Sequence, residues 1–393
     1  MTSERSSSSN GFNPAALLRD ERFWKIAFQV IVVAVVVGIL SFLVGNLSGN
    51  LARQGISFGF SFLSNSAGFS IGESVVTYNP QDAYAKALFI GLLNTLVLVV
   101  AGIVLATLVG TAAGVASFST NWLVYKISRA YVGLVRNIPL LLQLFFWYFA
   151  IYGGLPNPSN QIGISGLVYL NNRGVSILWP ESTLRLWIGL AALLIGAIAA
   201  VLVWRRRTHV MVEQGEPGKT QLYILWAILA AMLLVFIGLG WEFPEAVDGG
   251  GSTGGRRLSR EYVASLSALV FYTGAFIAEI VRAGIQSVSK GQWEAARSVG
   301  FTNNLVMRLV VFPQSMRVII PPLNSEFMNL AKNSSLAFAV AYPEMYAVAN
   351  TTYNQTGRPI EVFIILMATY LVINLIISLG MNQLNQAVQF KER

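Results

Sequence analysis

Apolar residues fall along this chain in long runs separated by polar clusters, with neither helical nor strand spacing within a run. Ile26 to Leu47, Lys86 to Ser117, Ile138 to Tyr152, Leu184 to Trp204, Gln221 to Trp241, Glu261 to Ile285, Arg317 to Val340 and Ile360 to Met381 make eight such runs. A helix rising 1.5 Å per residue needs roughly 20 residues to cross a bilayer. The pattern therefore predicts an all-α polytopic membrane protein with about eight transmembrane helices. The first run exceeds the apolar region of about 7 to 15 residues found in a signal peptide, so it is expected to stay as an anchor. It follows a Ser-rich tail, Met1 to Lys25, expected to be disordered. In the second run Thr95, Gly102, Gly110 and Gly114 put small residues where helices approach closely in lipid. Between these two runs Phe58, Phe60 and Phe62 alternate, as in a short strand or in a segment lying against the membrane.

Composition narrows the class. The chain is 54% hydrophobic and 11% charged, where a soluble domain carries about 25% charged residues. A net charge of +9 would suggest nucleic acid in a soluble protein, but here the basic residues punctuate apolar runs and mark topology. With both termini cytoplasmic, most of the 27 lysines and arginines fall inside. Cysteine is absent and His209 is the only histidine, so disulfides, thiolate catalysis and Cys/His metal sites are excluded. Asp248 to Arg257, DGGGSTGGRR, has Arg256 where a phosphate-binding loop needs Lys followed by Ser or Thr. It reads as a flexible linker, and the chain is expected to hydrolyse no ATP by itself.

The interval Ser287 to Pro322 breaks the apolar pattern most sharply. It reads SVSKGQWEAARSVGFTNNLVMRLVVFPQSMRVIIPP. Ser289 and Gln292 have the spacing of a capping box, Gly300 suits a left-handed helix end, Thr302 can cap a second helix, and Pro313 is expected to end it. Two short helices joined at a glycine follow.

Glu294-Ala295-Ala296, three residues, Gly300, nine residues and Val310-Val311-Phe312-Pro313 resemble the cytoplasmic coupling loop of ABC importer permeases. Arg136 to Phe145, RNIPLLLQLF, resembles a segment of polar-amino-acid permeases, with Asn137 and Ile138 departing from its Gly and Thr. Gly274 to Gly284 and Leu330-Ala331-Lys332-Asn333-Ser334-Ser335-Leu336 are similar to two further segments of that family. The resemblance implies a type I importer core in two parts, 86–165 and 256–385, interrupted by an inserted helix pair over 166–255. It also implies a coupling loop over 287–314, a periplasmic segment over 48–85 and a cytoplasmic tail over 386–393. Glu294, Ala295, Ala296, Gly300 and Pro313 then carry ATPase coupling. The implied partners are a second related permease, two copies of an ATPase that bind ATP and Mg, and a periplasmic amino-acid-binding protein. The implied cargo is L-amino acids, acidic and neutral ones first, across the bacterial inner membrane.

Polar groups inside apolar spans are expensive and mark candidate function. Asn94, Thr95 and Gln143 lie near mid-span, and Glu326, Asn329 and Asn333 share one helix face with Lys332 close by. Glu326 suits an ammonium; Lys332 and the amides suit carboxylates. The same residues are equally able to hydrogen-bond helix to helix. Glu279 and Arg282 fit a structural i, i+3 pair. The competing function is a self-contained secondary transporter or channel, which needs ionisable relays or paired broken helices.

Overall fold

A computed structural model describes residues 21–53, 58–181, 184–213, 216–247 and 250–389, so residues 1–20 of the predicted tail and 390–393 of the other tail lie outside the described residues. The chain divides into two compact units, Met1–Phe62 and Leu63–Arg393. In the first, α1 (Glu21–Arg53) is apolar over Trp24–Asn46 and exposed there, as a helix in lipid would be. No strand forms across the alternating phenylalanines; Phe58 and Phe60 meet edge to face at 5.6 Å, and Ser61–Ser64 is one tight helical turn.

The second unit is organised around α2 (Tyr84–Ala116) and α7 (Arg260–Gln286). They run parallel, packed closely where their small residues coincide. A methyl group built at Gly110 would lie 2.6 Å from Ile277 Cβ and 2.7 Å from the Gly274 carbonyl, and one at Gly114 would lie 2.7 Å from Val281 Cβ. Without side chains there, the two backbones close together and dispersion replaces the hydrophobic drive that lipid does not supply. Gly102 faces Leu330 in α10 (Phe312–Asn333) in the same way.

After α3 (Trp122–Arg136) the chain bends by 110° into α4 (Leu140–Phe145), which widens into a π-helical stretch over Phe146–Tyr152. Pro139 explains the bend: it offers no N–H, and it pushes the preceding residue out of helical geometry. Among the described residues, seven helices are long and apolar enough to cross a membrane, or eight if this bent pair is one span. That agrees with the expected number.

The inserted pair is α5 (Leu184–Glu213) and α6 (Lys219–Ile237). The Arg205–Arg207 triplet rides on the last turns of α5, with the Arg207 guanidinium 5.6 Å from the Trp204 ring. Long basic side chains reach water from a helix, so they need not end it.

One expectation for this region is corrected, that Asp248 to Arg257 is only a flexible linker. The loop Gly153 to Glu181 and the linker before Arg257 contain strands: β1 (Ile162–Ile164), β2 (Val168–Asn171), β3 (Gly174–Ile177), β4 (Trp179–Pro180), β5 (Trp241–Glu242), β6 (Glu245–Ala246), β7 (Ser252–Thr253) and β8 (Arg256–Ser259). Asp248 and Gly249 of that linker lie outside the described residues. Strands β1-β2-β3-β8 form an antiparallel sheet, and β4 pairs with β5. Residues just before α5 therefore pair with residues just after α6, Ile177 with Arg256 and Trp179 with Glu242, closing the insertion at its base. At Gly174, φ is +137°, and any Cβ would lie 2.1 Å from the Leu258 carbonyl, so only glycine fits.

The interval Tyr342 to Arg358 is mostly helical. Glu344 accepts from the backbone N–H groups of Tyr346 and Ala347 and so starts α11 (Met345–Thr356), which ends at Gly357 with φ +64° before α12 (Pro359–Val388). An acidic N-cap satisfies the orphan donors and favours the positive helix end.

Candidate functional site

At one end of the bundle, hereafter the loop end, α7 leads into α8 (Lys290–Ser298). Gly300 adopts φ +84°, its N–H donates to the Arg297 carbonyl and the Phe301 N–H donates to the Ala296 carbonyl. These two bonds form the Schellman motif that closes a helix with a left-handed residue. Thr302 then leads into α9 (Asn303–Val306), so the predicted pair of short helices joined at a glycine is present.

Two local expectations change, those for Ser289 and Pro313, and the reason for the glycine is conformational. Ser289 occupies the N-cap position, but its side chain makes no capping bond; the Gln292 side chain accepts from Gln314 instead of reaching back. Gly300 has open space around it, with nothing within 4 Å of a built Cβ, so backbone conformation rather than close packing within this chain requires the glycine. Pro313 ends no helix. It sits in the first turn of α10, after a π-helical stretch over Met307–Val311, where a missing N–H costs least.

The knob is anchored on one side and open on the other. Ala296, Val306 and Val311 are buried in the core cluster with Ile285 and Ile319. Glu294, Ala295, Gly300 and Pro313 are exposed, as are the apolar side chains of Val299 (70%) and Leu309 (55%). An exposed apolar rim on a firmly seated element is available to a partner.

The seven mid-span candidates separate into two groups. Asn94 donates both amide hydrogens, to the Glu73 and Pro343 carbonyls at 2.8 Å each. Thr95 donates to Gly91 and accepts from the Met345 N–H at 2.9 Å, joining α2 to α11. Gln143 donates to the Val135 and Ile138 carbonyls, tying α4 back to the end of α3 across the bend. The other four lie on α10, where Asn329 and Lys332 are exposed and Glu326 and Asn333 half-buried. Asn333 borders a cavity of about 10 Å³ with Leu140, Ser265 and Leu269, room for about one water. The structure does not bring the two groups to one site.

Charged clefts occur near both ends of α7. Toward the loop end, Arg129, Arg136, Asn137, Phe276 and Glu279 line a cleft of about 370 Å³. The Arg136 guanidinium lies 5.0 Å from the Phe276 ring, and Arg282 donates to Glu279 from Nε at 3.0 Å, so the expected i, i+3 pair forms. At the sheet end, Glu73 accepts from the hydroxyl of Ser259, the N-cap of α7. Burial pushes the Glu73 carboxyl up, while the Ser259 hydroxyl and Arg256 pull it down. Sequence reasoning passed over Glu73 and Glu344; for Glu344 the signal was an acid one residue ahead of Met345 and the helix it starts.

Together, long lipid-length helices and a seated, exposed knob define a polytopic membrane protein. Residues 261–390 match the family described as "Binding-protein-dependent transport system inner membrane component". That makes the class a membrane permease. The chain is 39% identical to the general L-amino acid transport system permease protein AapQ of Rhizobium johnstonii, covering 98% of this chain and 96% of that protein. It is 42% identical to the putative amino-acid ABC transporter permease protein YhdX of Escherichia coli, covering 93% and 94%. It is 37% identical to the glutamate/glutamine/aspartate/asparagine transport system permease protein BztB of Rhodobacter capsulatus, covering 98% of both chains. The chain belongs to the family of amino-acid ABC transporter permeases. The competing reading as a self-contained transporter or channel is not favoured.

Proposed function

We propose that this chain works as one permease subunit of an ATP-driven importer of polar L-amino acids in the bacterial inner membrane, with acidic and neutral amino acids as the leading cargo. Its partners are a second related permease, an ATPase dimer that supplies the ATP and Mg sites, and a periplasmic amino-acid-binding protein. No residue of this chain takes part in nucleotide chemistry.

The observation that carries this reading is the knob at the loop end. Its buried side, Ala296, Val306 and Val311, belongs to the core of the helices, so a push on the exposed side reaches α7 and α10 directly. Glu294, Ala295 and Gly300 face the ATPase in this reading, and Pro313 begins the helix that receives the push. Along the pathway, Glu326, Asn329, Lys332 and Asn333 of α10 offer an acceptor, amides and a cation to an amino acid. Asn94, Thr95 and Gln143 hold the wall in place. With the loop end in the cytoplasm, the sheet end faces the periplasm.

Gly300→Asp tests it. At φ +84° a side chain is strained, by roughly 1–2 kcal/mol for an L-residue, and a charge is added to the docking face. In cells expressing the chain with its native neighbours, uptake of labelled L-glutamate is expected to fall at least about tenfold. The amount of chain in the membrane stays unchanged. Normal uptake by this variant would refute the docking role.

A further inference from the structure

We infer that the sheet end of α7 holds an acceptor site for acidic α-amino acids, built by the insertion's sheet and the first turn of α7. This deepens the importer reading and rests on it. Asn172, Arg173, Arg257, Arg260 and Glu261 line a cleft of about 370 Å³, inside the range of roughly 300–1,000 Å³ typical of small-molecule sites. Arg173 lies in the β2–β3 turn, where the Asn171 side chain accepts its N–H and its own carbonyl accepts from the Arg260 N–H. The turn is thus fixed against the start of α7.

Three guanidinium groups meet one carboxylate here. Arg260 donates to the Tyr148 hydroxyl at 2.6 Å, its guanidinium lies 4.1 Å from the Tyr148 ring, and its buried Nε has no partner among the described residues. Neither Arg173 nor Arg257 has an ion-pair partner among the described residues. Glu261 accepts from the Tyr148 hydroxyl through Oε1. An acidic amino acid presents the complement: two carboxylates for the guanidinium groups, which bind such anions by paired hydrogen bonds, and one ammonium for Glu261. The presence of Glu261 favours this small zwitterion over an acidic surface on a partner protein, which would need cations alone.

The test is binding of radiolabelled L-glutamate to the purified full chain in phosphatidylcholine nanodiscs. Saturable binding is expected, displaced by L-aspartate and not by L-lysine. Arg173→Gln and Arg257→Gln, both at exposed positions, are each expected to weaken it about tenfold while the chain elutes normally. Glu261→Gln is expected to weaken L-glutamate but not glutarate, which lacks the ammonium. Absence of saturable binding, or binding indifferent to the arginine variants, overturns the proposal. So does loss of uptake in the arginine variants without any binding by wild type, which would assign the patch to a partner protein. Uptake of labelled L-glutamate by wild type in cells, against a strain lacking the chain, is read in parallel. If uptake stands and binding fails, the site falls and the importer reading survives; if wild type also fails to import, that reading falls.

Discussion

Two helix pairs of this protein, one parallel and one antiparallel, both use glycine at their contact, yet they do different things. In the α2–α7 pair, Gly110 and Gly114 face backbone carbonyls and β-branched side chains, which cannot retreat. In the α5–α6 pair, Gly196 faces the Cγ and Sδ of Met232, a flexible side chain. Asn94 and Thr95 add hydrogen bonds from α2 to the rest of the core, whereas α5 and α6 leave most of their surface to lipid. The same residue type therefore marks a rigid seam in one place and a loose neighbour in the other. What it meets decides, not its presence.

The sharpest way to break this contrast is one substitution made in each pair. Gly110→Ala puts a methyl group 2.7 Å from the Gly274 carbonyl, so overpacking is expected to cost roughly 1–3 kcal/mol, seen as a lower thermal midpoint of the purified chain in detergent. Equal midpoints for this variant and wild type would mean the seam is soft.

A smaller, pH-dependent effect is expected at Glu73, which latches the core's sheet end to Ser259. Burial holds its carboxyl above the usual carboxylate range. A raised carboxyl contributes stability that is present in full below its unfolded value and lost as pH rises through the folded value. Glu73→Gln stays neutral throughout, so its melting curve is expected to match wild type in acid and to lie above it at neutral pH. A gap that opens instead on acidification would reverse the sign and rule out this account.

The least effect belongs to Gly196→Ala. Met232 can swing aside and alanine is the better helix former, so the midpoint is expected to stay within about 1 kcal/mol of wild type, on the stable side. A drop as large as that of Gly110→Ala would erase the difference between the pairs.

Hydropathy made most of the fold legible, because a span such as Tyr84–Ala116 announces itself by length alone. The bend at Gly300 was legible for a local reason: helix ends are set by a few neighbouring residues. The sheet was not, because its strands are two to four residues long and pair across the whole insertion, as Ile177 does with Arg256. The functions of Asn94 and Thr95 were only half legible. Sequence marked them as costly polar groups in an apolar run, but their partners Pro343 and Met345 lie far along the chain. The capping box at Ser289 matched a pattern whose side chains found other partners.

The seam also has a history in time. α2 is complete at Ala116 and its partner α7 only at Gln286; at roughly 5–20 residues per second a ribosome takes on the order of ten to thirty seconds to cover that gap. Over that interval Gly110 and Gly114 face lipid or another protein, and Asn94 lacks the carbonyl of Pro343 for longer still. A helix that ends up committed to the core is thus among the first made and the last to be satisfied, so its early life depends on whatever shelters a polar amide in the membrane until the rest of the chain arrives.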